Sequence, residues 1–294
     1  MKVLVIIVNY NGSRWIPQVC EALRGEEESL REDGVALDLF VFDNASGDGS
    51  AELWAEAWPG VILQQSEGNL GFTAGNNAGF RYALDHGYNY VYLLNQDAWP
   101  CPGAISQLMA WIHLEPSYAM LSPQQLRRDG EKYDPNFQRD VVARAREEKV
   151  GYIYRAPHVM AAHWLVSCAA LRTIGLFEPL LPLYGQDDNW CDRAFYHGYK
   201  VGYLETAQAI HDRADRKEPK DRIIYRNYYM GSLVRLLDIR RPLWTRRLYV
   251  CLFTLVKTVK YGSLQPLKYH RDIRRQLPEI RAARETTRNL AAYV

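Results

Sequence analysis

Short apolar runs that stop abruptly at polar residues recur through the first 210 residues. Lys2–Val8 and Tyr90–Leu94 are almost continuously apolar, and Leu37–Phe42 is interrupted only by Asp38. Runs of this length are typical of parallel strands that are buried on both faces. Segments with helical character separate them, at about 13–24, 51–57 and 104–114. The alternation predicts an α/β fold with a mostly parallel central sheet and helices on both faces.

Weaker patterns fill the rest of this part of the chain. We expect further strands at 61–63, 118–121 and 159–166, a short helix at 167–174, and short edge strands at 199–204 and 207–210. A helix that ends near His86 follows the glycine-containing segment 69–79. The polar, weakly periodic residues 124–156 are expected to form an excursion at the rim of the fold.

The pattern changes after Arg213. Residues 220–237 predict a helix rich in Tyr and Arg, and 248–256 form an apolar segment flanked by basic residues. That segment is about half the ~20 residues that a membrane-spanning helix needs. It fits a helix lying at a membrane surface and, equally, a helix packed on the core with a solvated basic face. We therefore divide the chain into an α/β domain at 1–212 and a basic helical region at 213–294.

The charge is divided along the same boundary. Residues 213–294 hold 20 Lys and Arg against 7 Asp and Glu, a balance of +13, whereas residues 1–212 hold 16 against 27, a balance of −11. A basic tail on an acidic body indicates a polyanionic partner, either a membrane surface or nucleic acid. No zinc-finger or RNA-recognition pattern is present, so we do not expect nucleic acid as a partner.

Cysteine usage and the amino terminus indicate the compartment. The five cysteines are scattered and form no CxxC pair. Such usage favours a reducing cytoplasm over a disulfide framework or a zinc site. Lys2 leads directly into the first predicted strand without a secretory signal pattern. We expect a cytoplasmic protein.

Polar residues follow three of the predicted strands. Asn9, Tyr10 and Asn11 follow the first strand, Asp43 follows the second, and Asp97 follows the strand at 90–94. Ligands of open α/β sheets bind beyond the carboxyl ends of the strands, where an Asp commonly accepts hydrogen bonds from a base or ribose. Asp97 is either a metal ligand or simply the start of a turn before Pro100, and Tyr10 either stacks on a base or belongs to an ordinary turn.

Three further features are candidates for chemistry. The glycines of Asn69–Gly79 permit close approach of a ligand or mark a structural helix start, and their spacing matches neither GxGxxG nor a P-loop. Asp187, Asp188 and Asp192 lie within two helical turns, which is either a solvated helix start or the source of a general base. His211, after another predicted strand, is a structural residue or a second metal ligand.

Taken together, these motifs resemble the family 2 glycosyltransferases, especially the rhamnosyltransferase-like branch that builds bacterial surface polysaccharides. The resemblance covers about 210 residues and rests on six motifs in the same order, which are Val8–Gly12, Phe42–Ser50, Asn69–Gly79, Leu93–Asp97, Tyr184–Cys191 and His211. It does not cover the basic C-terminal region.

The resemblance implies a GT-A fold and metal-dependent, inverting transfer of a sugar from a nucleoside-diphosphate donor. By position, Asp43 corresponds to the nucleobase contact, Asp97 and His211 to ligands of Mn²⁺ or Mg²⁺, and Asp187 to the catalytic base, with Asp188 as the alternative. We assign donor binding to the residues around the strand ends, which are Asn9, Tyr10, Asn11, Asp43, Gly71, Asn77 and Gln96.

Partners follow from the same resemblance and from the charge. The expected donor is a dTDP- or UDP-sugar, with rhamnose as a candidate sugar. The expected acceptor is a saccharide or lipid-linked hydroxyl, reached at the inner face of the cell membrane.

Two positions depart from the family pattern. Asn95 stands where the metal motif has its first acidic residue, and Gln186 stands where the family has the Glu of a Glu-Asp pair. They motivate a rival interpretation, a catalytically weak sugar-nucleotide binder that serves as an assembly partner. A glycoside hydrolase also uses two carboxylates, but it does not account for Asp43 and Asp97 at strand ends.

Overall fold

A mixed ten-stranded sheet forms the centre of the protein. The computed structural model describes residues 1–145, 149–213 and 219–289. The strands are β1 Lys2–Asn9, β2 Ala36–Asp43, β3 Ile62–Gln65, β4 Tyr90–Asn95, β5 Ala98–Pro100, β6 Tyr118–Leu126, β7 Lys149–Val150, β8 Ile153–Arg155, β9 His163–Ser167 and β10 Lys200–His211. Their order is β3-β2-β1-β4-β9-β6-β10-β8-β7, with β5 paired to β10.

The amino-terminal half of the sheet is parallel. β3, β2, β1 and β4 run side by side in one direction, and β6 pairs with β10 in parallel further along. The antiparallel strand β9 lies between β4 and β6 and joins the two parts. The carboxyl ends of β1, β2 and β4 therefore meet at one rim, as the polar residues after them predicted.

Both faces of the sheet are buried, which explains the unbroken apolar runs. Along β1, Val3, Val5 and Ile7 belong to one core cluster, and Leu4 and Ile6 belong to another on the opposite face. A strand has a side-chain period of two, so a strand covered on both sides needs apolar residues at every position.

Among the described residues before 213, seven α-helices accompany the sheet. They are α1 Ile16–Glu32, α2 Ser50–Ala57, α3 Gly71–Asp85, α4 Ala104–Leu114, α5 Pro135–Asp140, α6 Cys168–Ile174 and α7 Gln186–Tyr196. Helices α1 and α4 lie against the first core cluster, and α3, α6 and α7 against the second. The predicted α/β class is confirmed.

The glycines of α3 serve close packing against the sheet. A Cβ at Gly75 would lie 2.7 Å from Val8 Cγ2, and one at Gly79 would lie 2.7 Å from Ile6. Real Cβ contacts are not this short, so only glycine lets α3 approach β1 at these two positions. Of the two interpretations of the glycine-containing segment, the structure supports a packing role for Gly75 and Gly79.

Three predicted elements differ from the structure. Helix α1 continues through Gly25 to Glu32, because Gly25 lies on an open surface where a glycine only weakens a helix. The two expected edge strands at 199–204 and 207–210 are one strand, β10, which pairs with β6 on one side and with β8 and β5 on the other. The excursion at 124–156 contains the end of β6 together with α5, β7 and β8.

The C-terminal region is helical, as predicted. It contains α8 Lys220–Ile224, a π-helical turn at Tyr225–Met230, α9 Gly231–Leu237, α10 Leu243–Tyr261, α11 Gln265–Arg275 and α12 Leu277–Arg288. A third core cluster joins Met230, Leu233 and Leu236 to Val250, Ile273 and Ile280, and it also includes Leu181 from the loop before α7. The C-terminal helices thus share buried contacts with the segment that leads to Asp187.

Candidate active site

A two-residue turn between β4 and β5 carries Gln96 and Asp97 at the rim of the sheet. The Gln96 side chain is paired with the backbone of Tyr10, whose N–H donates to Oε1 at 2.6 Å and whose carbonyl accepts from Nε2 at 3.2 Å. Gly12 fits closely beside the same amide, since a Cβ there would lie 3.0 Å from Gln96 Oε1. Gln96 therefore fixes the loop after β1 to the loop after β4.

Asp97 lies next to His211, the last residue of β10. Oδ1 of Asp97 is 3.6 Å from Nε2 of His211, and the Asp97 carbonyl accepts a hydrogen bond from the Asp212 N–H at 2.8 Å. His211 is buried, with Asp134 Oδ2 at 4.0 Å from its Nδ1. Burial raises the pKa of Asp97, but the adjacent His211 outweighs burial and the pKa is lowered overall. Asp97 is an ionised carboxylate beside an imidazole.

Asp97 and His211 fit a divalent cation that is completed by substrate oxygens. They offer one carboxylate oxygen and one imidazole nitrogen, and Mn²⁺ accepts both kinds of ligand. In the part of the chain that the structure describes, no three His, Cys, Asp or Glu side chains converge on a metal position. The Oδ1 of Asn95, two residues before Asp97, is buried and has no hydrogen-bond partner among the described residues. The remaining ligands would be phosphate oxygens and water.

Asp43 is held in a buried polar cage at the end of β2. Its Oδ1 accepts from Asn9 Nδ2 at 2.7 Å and from Ser46 Oγ at 2.6 Å, and its Oδ2 accepts from the Ser46 N–H at 3.0 Å. Asn9 Nδ2 also lies 2.7 Å from Ser50 Oγ, whereas Asn9 Oδ1 has no partner within the described ranges. The cage leaves one lone pair of Asp43 Oδ2 unused, and it leaves the buried side-chain carbonyl of Asn9 without a partner among the described residues.

Tyr10 and Asn11 form the outer part of the same loop. The Tyr10 side chain is 46% exposed. Asn11 has φ +50°, a left-handed conformation that Asn tolerates better than most residues, and its Oδ1 accepts from the Gly47 N–H at 2.9 Å. The loop therefore presents the Tyr10 ring to solvent from a fixed backbone.

Gly71 and Asn77 have structural contacts on α3. Asn77 Nδ2 donates to the Phe177 carbonyl, and Asn77 Oδ1 accepts from the Phe177 N–H, both at 2.9 Å. Gly71 has φ +86°, and a Cβ there would lie 2.8 Å from the Pro182 carbonyl oxygen. Both residues hold the loop after α6 against α3, and Asn77 uses one amide N–H and its carbonyl oxygen in doing so.

Asp187 and Asp188 lie in the first turn of α7 but have different surroundings. The Oδ1 of Asp188 is 2.8 Å from Nδ1 of His158. Burial raises the pKa of Asp188, but His158 lowers it overall. Burial also raises the pKa of Asp187, and there the increase is only partly offset by His158. Asp188 is engaged by an imidazole, and Asp187 is the more basic carboxylate of the pair.

The segment before β9 brings Asp187 to the same rim as Asp97. The Asn95 N–H donates to the Ala162 carbonyl at 3.0 Å, and the Asp187 carboxylate accepts from the Ala161 N–H. Two consecutive residues thus contact the end of β4 and the start of α7. This connection links the start of α7, where Asp187 lies, to the end of β4, two residues before Asp97.

Two residues of the site, His158 and Asp134, were not predicted from the sequence. His158 lies thirty positions before its partner Asp188, and no periodic pattern relates a loop histidine to a helix start. Asp134 could have been found, because an Asp before a Pro predicts a helix cap. Its Oδ1 accepts from Asn136 and Phe137 at 2.8 and 3.0 Å, which leaves Oδ2 facing His211.

A polar cavity of about 500 Å³ adjoins the pair formed by Asp97 and His211. It is lined by Arg14, Trp15, Gln18, Trp99, Arg128 and Asp212. A larger cavity of about 640 Å³ lies between β3 and the start of α3, and its lining contains neither Asp97, His211 nor Asp187. The contacts of Asp97 with His211 and of Asp187 with Ala161, and not cavity size, identify the candidate site.

Comparison with known sequences finds one family model and one relative that match this chain. Residues 4–175 match the sequence model of a family described as "Glycosyl transferase family 2". The chain is 26% identical over 239 residues to the low-salt glycan biosynthesis hexosyltransferase Agl10 of Haloferax volcanii, an alignment that covers 78% of this chain and 71% of that protein.

Solved structures of similar fold include two enzymes with bound donors. TarS 1-349 of S. aureus in complex with UDP-GlcNAc has a TM-score of 0.58 at 16% identity, covering 90% of this chain and 74% of that one. The mannosyltransferase PcManGT of Pyrobaculum calidifontis, in complex with GDP-Man and Mn²⁺, has a TM-score of 0.57 at 18% identity, covering 99% and 85%. The chain spans 42% of a longer S. aureus TarS chain. The predicted GT-A fold is confirmed.

Proposed function

Because the chain belongs to glycosyl transferase family 2 and is a glycosyltransferase with a nucleotide-sugar donor, we propose that it transfers a hexose, with inversion, to an acceptor hydroxyl. The observation that carries the finer proposal is the placement of Asp97, His211 and Asp187 around one rim of the sheet. Asp97 and His211 are 3.6 Å apart, and Ala161 and Ala162 connect Asp187 to the end of β4. An electrophile held at Asp97 would face a base on α7.

The nucleoside end of the donor lies at the loops after β1 and β2 in this proposal. The exposed Tyr10 ring offers a stacking surface for a base, and Asp43 and Asn9 offer buried oxygen acceptors for its N–H groups. Gln96 and Asn11 hold the loop after β1 in place. Gly71 packs against Pro182 in the loop after α6. Asn77 is buried and bonded to the Phe177 backbone, so its role here is to position α3.

Asp97 and His211 would hold a divalent cation, whose charge offsets the negative charge that develops on the departing diphosphate. Since these two side chains supply only one anionic ligand, donor phosphates must complete the site. Metal and donor are therefore expected to bind together, each increasing the affinity of the protein for the other.

Asp187 acts as general base. Its carboxylate accepts the proton of the acceptor hydroxyl while that oxygen bonds to the anomeric carbon, and the bond from that carbon to the diphosphate oxygen breaks. The attack comes from the face opposite the leaving group, so the configuration inverts. Removing a general base typically reduces the rate by about 10²–10⁴. The raised pKa of Asp187 makes it a stronger base than an ordinary aspartate.

We place the reaction in the cytoplasm, at the inner face of the cell membrane, with a lipid-linked saccharide as acceptor and a role in bacterial surface polysaccharide synthesis. Two features support this placement. The five cysteines are free thiols, and residues 213–294 carry a net charge of +13. A helix long and apolar enough to span a bilayer is not found among the described residues.

A donor screen tests the proposal. The melting temperature of the protein is measured with UDP-, dTDP- and GDP-sugars, dTDP-rhamnose included, with and without Mn²⁺. A rise that needs both one class of donor and Mn²⁺ is expected. Release of nucleoside diphosphate from that donor distinguishes an enzyme from a weak binder. Failure of every donor to bind, or cleavage of a glycoside without any nucleotide, would overturn the proposal.

A further inference from the structure

Helix α10 exposes a continuous apolar stripe. Val250 and Thr254 face inward, and Thr254 Oγ1 lies 2.7 Å from the Tyr228 hydroxyl. On the solvent side, seven large apolar side chains are 43–83% exposed, which are Trp244, Leu248, Tyr249, Leu252, Leu255, Val256 and Val259. We call this set the α10 stripe. Its spacing of three and four residues keeps it on one side of the helix.

The stripe reverses the pattern of an ordinary surface helix. Such a helix turns its apolar side to the core and its polar side to water, whereas α10 turns large apolar side chains outward along most of its length. Contiguous exposed apolar patches of this kind mark surfaces that bind a partner or a membrane. Leu264, in the turn after α10, is also exposed and extends the patch.

The charges around the stripe identify the partner. Helix α10 contains Arg246, Arg247, Lys257 and Lys260 and no Asp or Glu, and residues 243–288 hold 11 Lys and Arg against 3 Asp and Glu. Trp244 and Tyr249 are amphipathic rings of the kind that favour the boundary between lipid and water. The uninterrupted apolar segment Leu248–Val256 is too short to span a bilayer. We propose that α10 lies in the plane of an anionic bilayer, with its stripe among the acyl chains and with Arg247, Lys257 and Lys260 at the phosphates.

A second copy of the chain fits this surface less well. Two α10 helices packed face to face would bring their cations together without any carboxylate from either helix to offset them. An anionic lipid surface neutralises the same charges. The bilayer is therefore the occupant that complements both the apolar and the charged parts of the surface.

Ion pairs connect α10 to the helix that carries Asp187. Arg246 of α10 is paired with Asp238, Arg240 lies 2.8 Å from the same carboxylate, and Arg240 is also 2.6 Å from Asp192 of α7. A bilayer that holds α10 therefore also sets the orientation of α7. This consequence for catalysis rests on the proposed function, whereas lipid binding itself rests on the surface alone.

Vesicle sedimentation tests the inference without any substrate. The full chain should pellet with vesicles of phosphatidylglycerol and phosphatidylcholine at low salt, and less with phosphatidylcholine alone or at high salt. L252S/L255S should weaken partitioning by about tenfold or more, because each Leu contributes a large apolar surface. The control L53S/L114S removes two other exposed leucines, on α2 and at the end of α4, and should pellet like the wild type.

The outcomes separate the two proposals. All four positions are solvent exposed, so unchanged melting temperatures will show that the variants fold. If the wild type stays in the supernatant with anionic vesicles at low salt, the inference is wrong. The stripe would instead be a contact between two copies of the chain under three conditions. The wild type would be a dimer by light scattering, it would not bind vesicles, and L252S/L255S would be a monomer. Sugar transfer to a soluble acceptor does not depend on either result.

Discussion

Nε2 of His211 lies 3.6 Å from Oδ1 of Asp97, although the two residues are 114 positions apart in the sequence. The antiparallel pairing of β5 with β10 sets this distance, because it places Ala98 directly opposite His211. The two candidate ligands are thus positioned by strand backbone. We expect the site to keep its geometry before a donor arrives.

The first prediction concerns metal-dependent donor binding. Asp97→Asn removes the only anionic ligand that we assign and should weaken donor affinity in Mn²⁺ at least tenfold, since even the loss of a ligand's outer-shell partner costs about 10–100-fold in metal affinity. Affinity without metal should change little. Isothermal titration with and without Mn²⁺ measures both. Asp85→Asn, an exposed position at the end of α3, is the control, and equal losses in the two variants would contradict the role of Asp97.

The second prediction separates the two carboxylates of α7. Asp187→Asn should reduce kcat by about 10²–10⁴ while the donor Kd stays unchanged, because the base acts on the acceptor. Asp188→Asn should reduce kcat less, since Asp188 is engaged with His158. Single-turnover rates at saturating donor provide the comparison. If Asp188→Asn proves the more damaging change, the base has been assigned to the wrong residue.

The third prediction concerns pH. Only the carboxylate form of Asp187 can accept a proton, so kcat/KM should rise with pH through a pKa above the ordinary range of an aspartate. The charge of His158 lowers the pKa values of both Asp187 and Asp188. His158→Gln removes that charge, and the acid limb of the pH profile should move to higher pH. The exposed His113→Gln should leave the profile in place; an acid limb that stays fixed or moves to lower pH in His158→Gln would refute the coupling.

The fourth prediction tests the packing of α3 on the sheet. Gly79→Ala should destabilise the protein by about 1–3 kcal/mol, because its methyl group would overlap the Ile6 side chain. Gly25→Ala is the matched control, since Gly25 lies inside α1 with no atom within 4 Å of the added Cβ. It should stabilise the protein by roughly 0.5–1 kcal/mol through helix propensity. Urea unfolding of both variants gives the difference, and stabilisation of Gly79→Ala would show that α3 can move.

The sequence predicted the rim of the sheet well, because strands buried on both faces produce unbroken apolar runs that end where ligands bind. Asp43 and Asp97 follow such runs directly. Contacts between residues that are far apart in the sequence could not be predicted in this way. The Gly25 position looked like a helix end, and only the structure shows that it lies on an open face of α1. Similarly, Ala207 and Leu204 belong to one strand because β6, β8 and β5 all pair with it.

The same limit applies to the site. Asp187 and Asp188 are equivalent in sequence, and what distinguishes them is His158, a loop residue thirty positions away. Local patterns hold no information about that contact. For helix α10, the sequence left two alternatives open, a membrane surface or packing on the core. The exposed apolar side chains of α10 favour the membrane surface.

Gly185, which precedes α7 with φ +81°, contacts Val234 of α9 so closely that a Cβ at this position would overlap the valine side chain. A chimaera that takes residues 220–288 from a relative would therefore disturb the turn that leads to Asp187 unless positions 185 and 234 were exchanged together. A larger side chain at position 234 would press on the same turn, so the C-terminal helices constrain the start of the helix that carries Asp187.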